Sequence, residues 1–134
     1  MTFDEITLFV EESRIVQYAW DMLKNEFTFD LEVTTEGKTQ NCKLVIHGVR
    51  MFQYAYERTS SPTPLPCPEE GDWLELSLID VLSPPAEARY LSPDWLKDFS
   101  AYANLVIEIW DREIYFQASS ISIGSHTVML PEVK

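Results

Sequence analysis

Apolar and polar positions alternate most strictly over residues 27–34, where Phe27, Phe29, Leu31 and Val33 interleave with Thr28, Asp30, Glu32 and Thr34. Side chains two apart share one face of a strand. The pattern therefore predicts a strand with one face in a core and the other in water, as antiparallel sheets have. Glu36-Gly37 supplies a turn, with glycine free to take positive φ. A two-residue loop there sets Leu31 against Cys42, Phe29 against Leu44 and Phe27 against Ile46. All three pairs are apolar and share a face, which predicts a hairpin in that register.

A second hairpin follows from Leu105, Ile107 and Ile109, then Ile114, Phe116 and Ala118, around the polar Asp111-Arg112. A tight even-numbered loop centred on those two residues pairs Ile109 with Ile114, Ile107 with Phe116 and Leu105 with Ala118. Upstream, Val16, Tyr18 and Trp20 fall on one face from Ser13 onward and predict a strand that joins the first hairpin as a meander. Residues 3–12 read two ways. Thr2 with Glu5 makes a helix capping box and Met1 can staple onto Ile6, while Ile6, Leu8 and Val10 alternate as a strand does; the β-formers Thr7, Phe9 and Val10 tip the reading towards a strand.

Between the hairpins the pattern breaks repeatedly. Gly48 interrupts the third strand, which is expected to continue through Met51 to Tyr56 with a bend or bulge at the glycine. Residues 59–72 carry proline at every second position from Pro62 to Pro68. They predict an extended connection inside a single domain spanning 1–134. Trp73 to Leu82 reads as a buried strand that changes phase, with Leu74, Leu76 and Leu78 on one face and Ile79 and Val81 on the other. Ser92-Pro93-Asp94 has a capping serine, proline at the first helical position and an acid in the first turn, so a short helix is expected at 93–99. Ile121 and Ile123 have the opposite parity from Ile114 and Phe116, which calls for a bulge near Ser119-Ser120. The expected fold is mainly β: an antiparallel sandwich or distorted barrel of six to seven strands with one short helix.

Composition narrows the function more than it defines it. The 134 residues are 46% apolar and 13% aromatic, too rich for a disordered chain, and no apolar run reaches the ~20 residues that span a bilayer. Asp4, Glu5, Glu11 and Glu12 stand where a secretory signal needs a basic start, so a cytoplasmic address is expected and no membrane association. Cys42 and Cys67 are too few for a disulfide framework and read as thiols. Net charge is −12, made of −4 over residues 1–67 and −8 over 68–134. Such a field repels nucleic-acid backbones and speeds encounters with basic proteins.

Motifs for phosphate cradling, a nucleophile elbow or a paired-cysteine metal site are missing, so neither a cofactor nor a metal is expected. His47 shares the solvent-side parity of Lys43, and His126 lies in a stretch read as a turn; both read as surface histidines. Glu69, Glu70 and Asp72 around Gly71 lack the spacing of a calcium loop. With Trp73 beside those acids, and Tyr54, Tyr56, Tyr90 and Trp95 near the proline-rich connections, they outline a candidate partner-binding surface. The favoured expectation is a non-enzymatic protein-binding module, such as an inhibitor that neutralises a basic toxin or nuclease. The alternative is a ligand-binding or acid/base site inside a β-barrel, with Glu75, Asp80 or Glu108 turned inward. Residues 119–130 lack proline and charge, so that edge is expected to be covered by residues 1–10 or by a second copy, giving a monomer or a homodimer.

Overall fold

The first hairpin forms as its pattern dictates. In a computed structural model, which describes residues 1–56, 69–82 and 102–132, β2 (Glu26–Thr35) pairs antiparallel with β3 (Lys38–His47). Phe27 stands against Ile46, Phe29 against Leu44 and Leu31 against Cys42. Glu36 and Gly37 both take positive φ, the geometry in which a two-residue loop follows the twist of its strands. On the other side of β2 lies β1 (Ser13–Asp21), with a bulge between Ile15 and Gln17. Ile15 occupies the core position and Val16 is exposed, so the face expected for Val16, Tyr18 and Trp20 belongs instead to Ile15, Tyr18 and Trp20. One extra residue in the strand resets the parity.

Residues 3–10 are a helix, α1 (Phe3–Val10), not a strand. The Thr2 hydroxyl accepts from the Glu5 backbone N–H and Glu5 returns the contact to the Thr2 N–H, which completes the capping box. Ile6 and Val10, four apart, are buried together, while Leu8, which a strand would place beside them, is exposed. Helical spacing satisfies the core where alternation does not.

The breaks in pattern are crossings between two sheets. The chain leaves β3 at Gly48, whose φ is +62°, and starts β4 (Met51–Tyr56) in the other sheet. Glycine is required there: a Cβ would sit 2.3 Å from Ser119 Oγ and 2.8 Å from Ser119 Cβ. The strand expected over Trp73 to Leu82 is two strands, β5 (Glu75–Leu76) and β6 (Leu78–Val81), split at Ser77 between the sheets, which accounts for its change of phase. A third crossing, at Ala118-Ser119, carries β8 (Arg112–Gln117) into β9 (Ser120–Ile123) and explains the parity of Ile121 and Ile123. With β7 (Leu105–Ile109) and β10 (His126–Met129), the sheets run β10-β9-β3-β2-β1-β5 and β4-β8-β7-β6.

The result is an antiparallel two-sheet fold whose larger sheet curls. One apolar core lies between the sheets, built from Phe29, Leu31, Leu44, Ile46 and Ile121 on one side and Leu105, Ile107 and Phe116 on the other. The β7–β8 hairpin has the expected apolar face but a register two residues away. Ile109 meets Arg112, Ile107 meets Ile114 and Leu105 meets Phe116, around a Trp110-Asp111 turn. Tertiary contacts hold that turn. The Trp110 N–H donates to Ser77 Oγ (3.0 Å) and its indole N–H to the Trp73 carbonyl (2.9 Å). A slip of two keeps every side chain on its face, so alternation alone does not distinguish the two registers. The edge at β10 is not covered by residues 1–10, because α1 packs on β2 and β6. The helix expected at 93–99 lies outside the described residues.

Candidate functional site

Among the described residues the six-stranded sheet is wider than the four-stranded one, and part of its inner face has no facing strand. After the bulge, Tyr18 and Trp20 point inward opposite Phe29 and Phe27. β5 pairs β1 only at Ser13 and Arg14, so the Trp20 end of β1 is an edge among the described residues. β4 is the terminal strand of the smaller sheet and turns Phe52, Tyr54 and Tyr56 towards the same gap. Between these two edges runs a groove of about 450 Å³, with Phe27, Phe29, Ile109 and Ile114 in its walls.

Aromatic rings build its lip. Phe52 stands edge-on to Trp20 (centroids 5.1 Å apart) and to Phe27 (5.5 Å), and Phe27 in turn meets Phe116 edge-on at 5.4 Å. Such pairs are directional and add about 0.5–1.5 kcal/mol each beyond burial, so the wall is stiff. Among the described residues the groove's one charged lining residue is Arg112, which donates to Asp111 Oδ1 at 2.7 Å and lies 4.7 Å from the centre of the Tyr56 ring. Leu74 closes one side. At the Trp20 end, the β1–β2 loop raises Met22 and Leu23 into solvent, with Leu23 96% exposed. Asp21 Oδ1 accepts from the Leu23 and Lys24 N–H groups and fixes this tip.

Of the residues anticipated as a partner surface, Tyr54 lines the groove, Tyr56 borders it through Arg112, and Trp73 adjoins Leu74. Glu69, Glu70 and Asp72 form an exposed turn, in which Asp72 Oδ2 accepts from the Glu69 N–H at 2.7 Å. Tyr90 and Trp95 lie outside the described residues. Tyr18, Trp20 and Phe52 were not anticipated; the alternation of Tyr18 and Trp20 marked one strand face and carried no sign of where the opposing sheet ends. Glu75 follows Leu74 in sequence, and other acids lie near it. Burial first, then repulsion from Glu12 and Asp72, holds the Glu75 carboxyl above the usual carboxylate range, and burial with repulsion from Glu12 and Asp80 does the same to Glu11.

Two other polar clusters have different settings. On the outer face of the larger sheet, His47 Nδ1 lies 3.3 Å from Glu26 Oε1 and Nε2 lies 2.7 Å from Ser122 Oγ. A carboxylate only accepts, so Nδ1 carries the proton donated to Glu26, and in the tautomer with Nε2 unprotonated that nitrogen accepts the Ser122 hydroxyl. The connectivity is that of a serine–histidine–acid triad. However, Ser122 is paired to β3 and β10 on both sides, which commits the neighbouring backbone N–H groups that an oxyanion would need. The cluster ties three strands together. On the outer face of the smaller sheet, Glu108 and Glu113 are cross-strand neighbours, both buried, and the Tyr115 hydroxyl donates to Glu113. Glu108 therefore points away from the sandwich interior, Asp80 is exposed and Glu75 is half-buried. The interior expected to hold these acids is apolar.

Among the described residues no group of three histidine, cysteine or acidic side chains is placed to hold a metal ion. Burial pushes the Cys42 thiol up, which lowers its thiolate fraction and its reactivity. No helix among these residues is long and apolar enough to cross a membrane.

Fold and groove together define a small two-sheet β protein with an open, aromatic-lined seam. The chain belongs to the YxiG-like protein family, whose model matches residues 4–127. No curated protein and no solved structure matches it.

Proposed function

We propose that this is a non-enzymatic protein-binding module that engages a basic partner, with an apolar anchor of that partner seated in the seam between β1 and β4. The observation that carries the reading is the exposed apolar side chains Tyr54 and Phe52 at the groove, with Met22 and Leu23 held out in solvent on the loop that follows β1. Apolar side chains held out on a fixed tip add nothing to the core, and patches of this kind mark contact surfaces for macromolecules. The net charge of −12 selects the sign of the partner.

The volume of the groove favours a second reading, a small apolar ligand, because about 450 Å³ lies within the range of small-molecule pockets. One experiment separates the two. Affinity capture from the protein's own cell is run with the wild type and with the folded variants Tyr54→Ser and Leu23→Ser. The first reading expects a basic protein in stoichiometric amount, lost with both variants, whose association rate with the purified module falls steeply with salt. Binding that survives Leu23→Ser but is lost with Tyr54→Ser, with a small molecule found by mass spectrometry, favours the second. Capture indifferent to both substitutions removes the groove from either account.

A further inference from the structure

The mode of binding follows from what borders the groove. β4 is the last strand of its sheet among the described residues, so one side of its backbone carries no strand neighbour there. Its inward side chains, Phe52, Tyr54 and Tyr56, recur every second residue and form a row along the seam. A strand laid against β4 would lie about 4.8 Å away and project its own alternate side chains into the same gap. The gap faces the inner surface of β1, where Tyr18 is 58% exposed and Trp20, in edge-on contact with Phe52, marks its closed end.

We propose that the partner supplies a covering layer: an extended basic segment adds to the edge of β4 that carries no strand neighbour among the described residues, with alternate apolar side chains in the seam and lysine or arginine side chains outward. This rests on the functional reading above and specifies its geometry. Main-chain pairing gives such complexes their affinity, and the pockets for alternate side chains give their specificity. Charge selects this occupant over a second copy of the chain, since two copies would each bring −12. Glu75, which follows the groove residue Leu74 in sequence, is repelled by Glu12 and Asp72, and a cation placed beside it relieves that repulsion. Arg112 does not oppose a cation strongly, because Asp111 neutralises it.

The probe is a synthetic seven-residue peptide alternating lysine with phenylalanine or leucine, Lys-Phe-Lys-Leu-Lys-Phe-Lys, titrated into the intact wild-type protein. Tryptophan fluorescence reports binding, its loss in Trp20→Phe assigns the signal to the seam, and amide hydrogen exchange reports β4. Strand addition expects slowed exchange within residues 51–55. It also expects binding at least about tenfold weaker when alternate peptide nitrogens are methylated in the phase that faces β4, with the opposite phase tolerated. Equal affinity for both methylated peptides, with Tyr18→Ser and Tyr54→Ser still weakening binding, overturns strand addition and leaves the groove reading intact. Affinity unchanged by those two substitutions shows attraction to acidic surface alone and overturns both. A peptide with glutamate in place of lysine is expected to bind at least tenfold more weakly; equal binding overturns the choice of a basic partner.

Discussion

Tyr18 and Phe29 are register partners on adjacent strands and point to the same side of the same sheet, yet Phe29 is sealed and Tyr18 is 58% exposed. Both satisfy the same alternating pattern. What separates them is the opposing layer: Phe29 and its neighbours meet β7 and β8, while Tyr18 looks past the last strand of a sheet that is two strands narrower among the described residues. Burial at a sheet face is decided by the other sheet. Local pattern specifies which residues seek cover, and the strand count of the facing layer decides which of them obtain it within the chain.

The largest expected effect comes from breaking the sealed side. Phe29→Ala should lower stability by about 3–5 kcal/mol in denaturant unfolding, because the cavity cannot collapse between stacked rings. Tyr18→Ala, on the same face, should cost under about 1 kcal/mol and leave the unfolding slope unchanged. Equal losses would mean that the seam is closed in solution. Gly48→Ala tests the crossing that sets β4 beside the seam. It should cost about 1–3 kcal/mol from its positive φ, with a further loss from the clash that Ser119→Gly relieves when the two are combined.

Thr2→Ala removes the cap of α1, which packs on β2 and β6 away from the seam. It should cost about 1 kcal/mol by thermal unfolding and leave peptide binding untouched. The smallest effect concerns the acids beside Leu74. The folded state raises the Glu75 carboxyl pKa, so it holds that proton more tightly than the unfolded chain does. The group's contribution is therefore favourable at low pH and is lost as pH rises through the folded value. Glu75→Gln should raise stability at pH 7 by no more than about 0.5 kcal/mol. The gain should shrink as pH is lowered into the ordinary carboxylate range; a gain that grew instead would reverse the assigned shift.

The β2–β3 hairpin was legible in full, register included, because its turn is local and its faces are unambiguous. The β7–β8 hairpin was legible in face but not in register, since Ser77 and Trp73, more than thirty residues away, hold Trp110 in the turn. The changes of phase at Gly48, Ser77 and Ser119 were visible as irregularities. Their meaning, a change of sheet, depends on strands that are distant in sequence. In the site, Tyr54, Tyr56 and Trp73 were marked by their nearness to the long connection. Tyr18, Trp20 and Phe52 were hidden because an aromatic that will be covered and one that will not have the same local pattern. For α1 the cap was the better guide, and the weak β-propensities of Thr7, Phe9 and Val10 yielded to the burial of Ile6 with Val10.

Pairing His47 with Ser120 has a consequence for the nascent chain. These partners are 73 positions apart, and β9 is the strand that closes the outer side of β3. At a synthesis rate of about 5–20 residues per second, the β2–β3 hairpin waits roughly 4–15 s after its own completion before β9 has been made. During that interval Leu44 and Ile46 lie on an open edge of a fully patterned ribbon, the kind of surface on which wrong pairings begin. The ribosome-bound protein should therefore be most prone to aggregation, and most dependent on chaperones, between the emergence of β3 and that of β9.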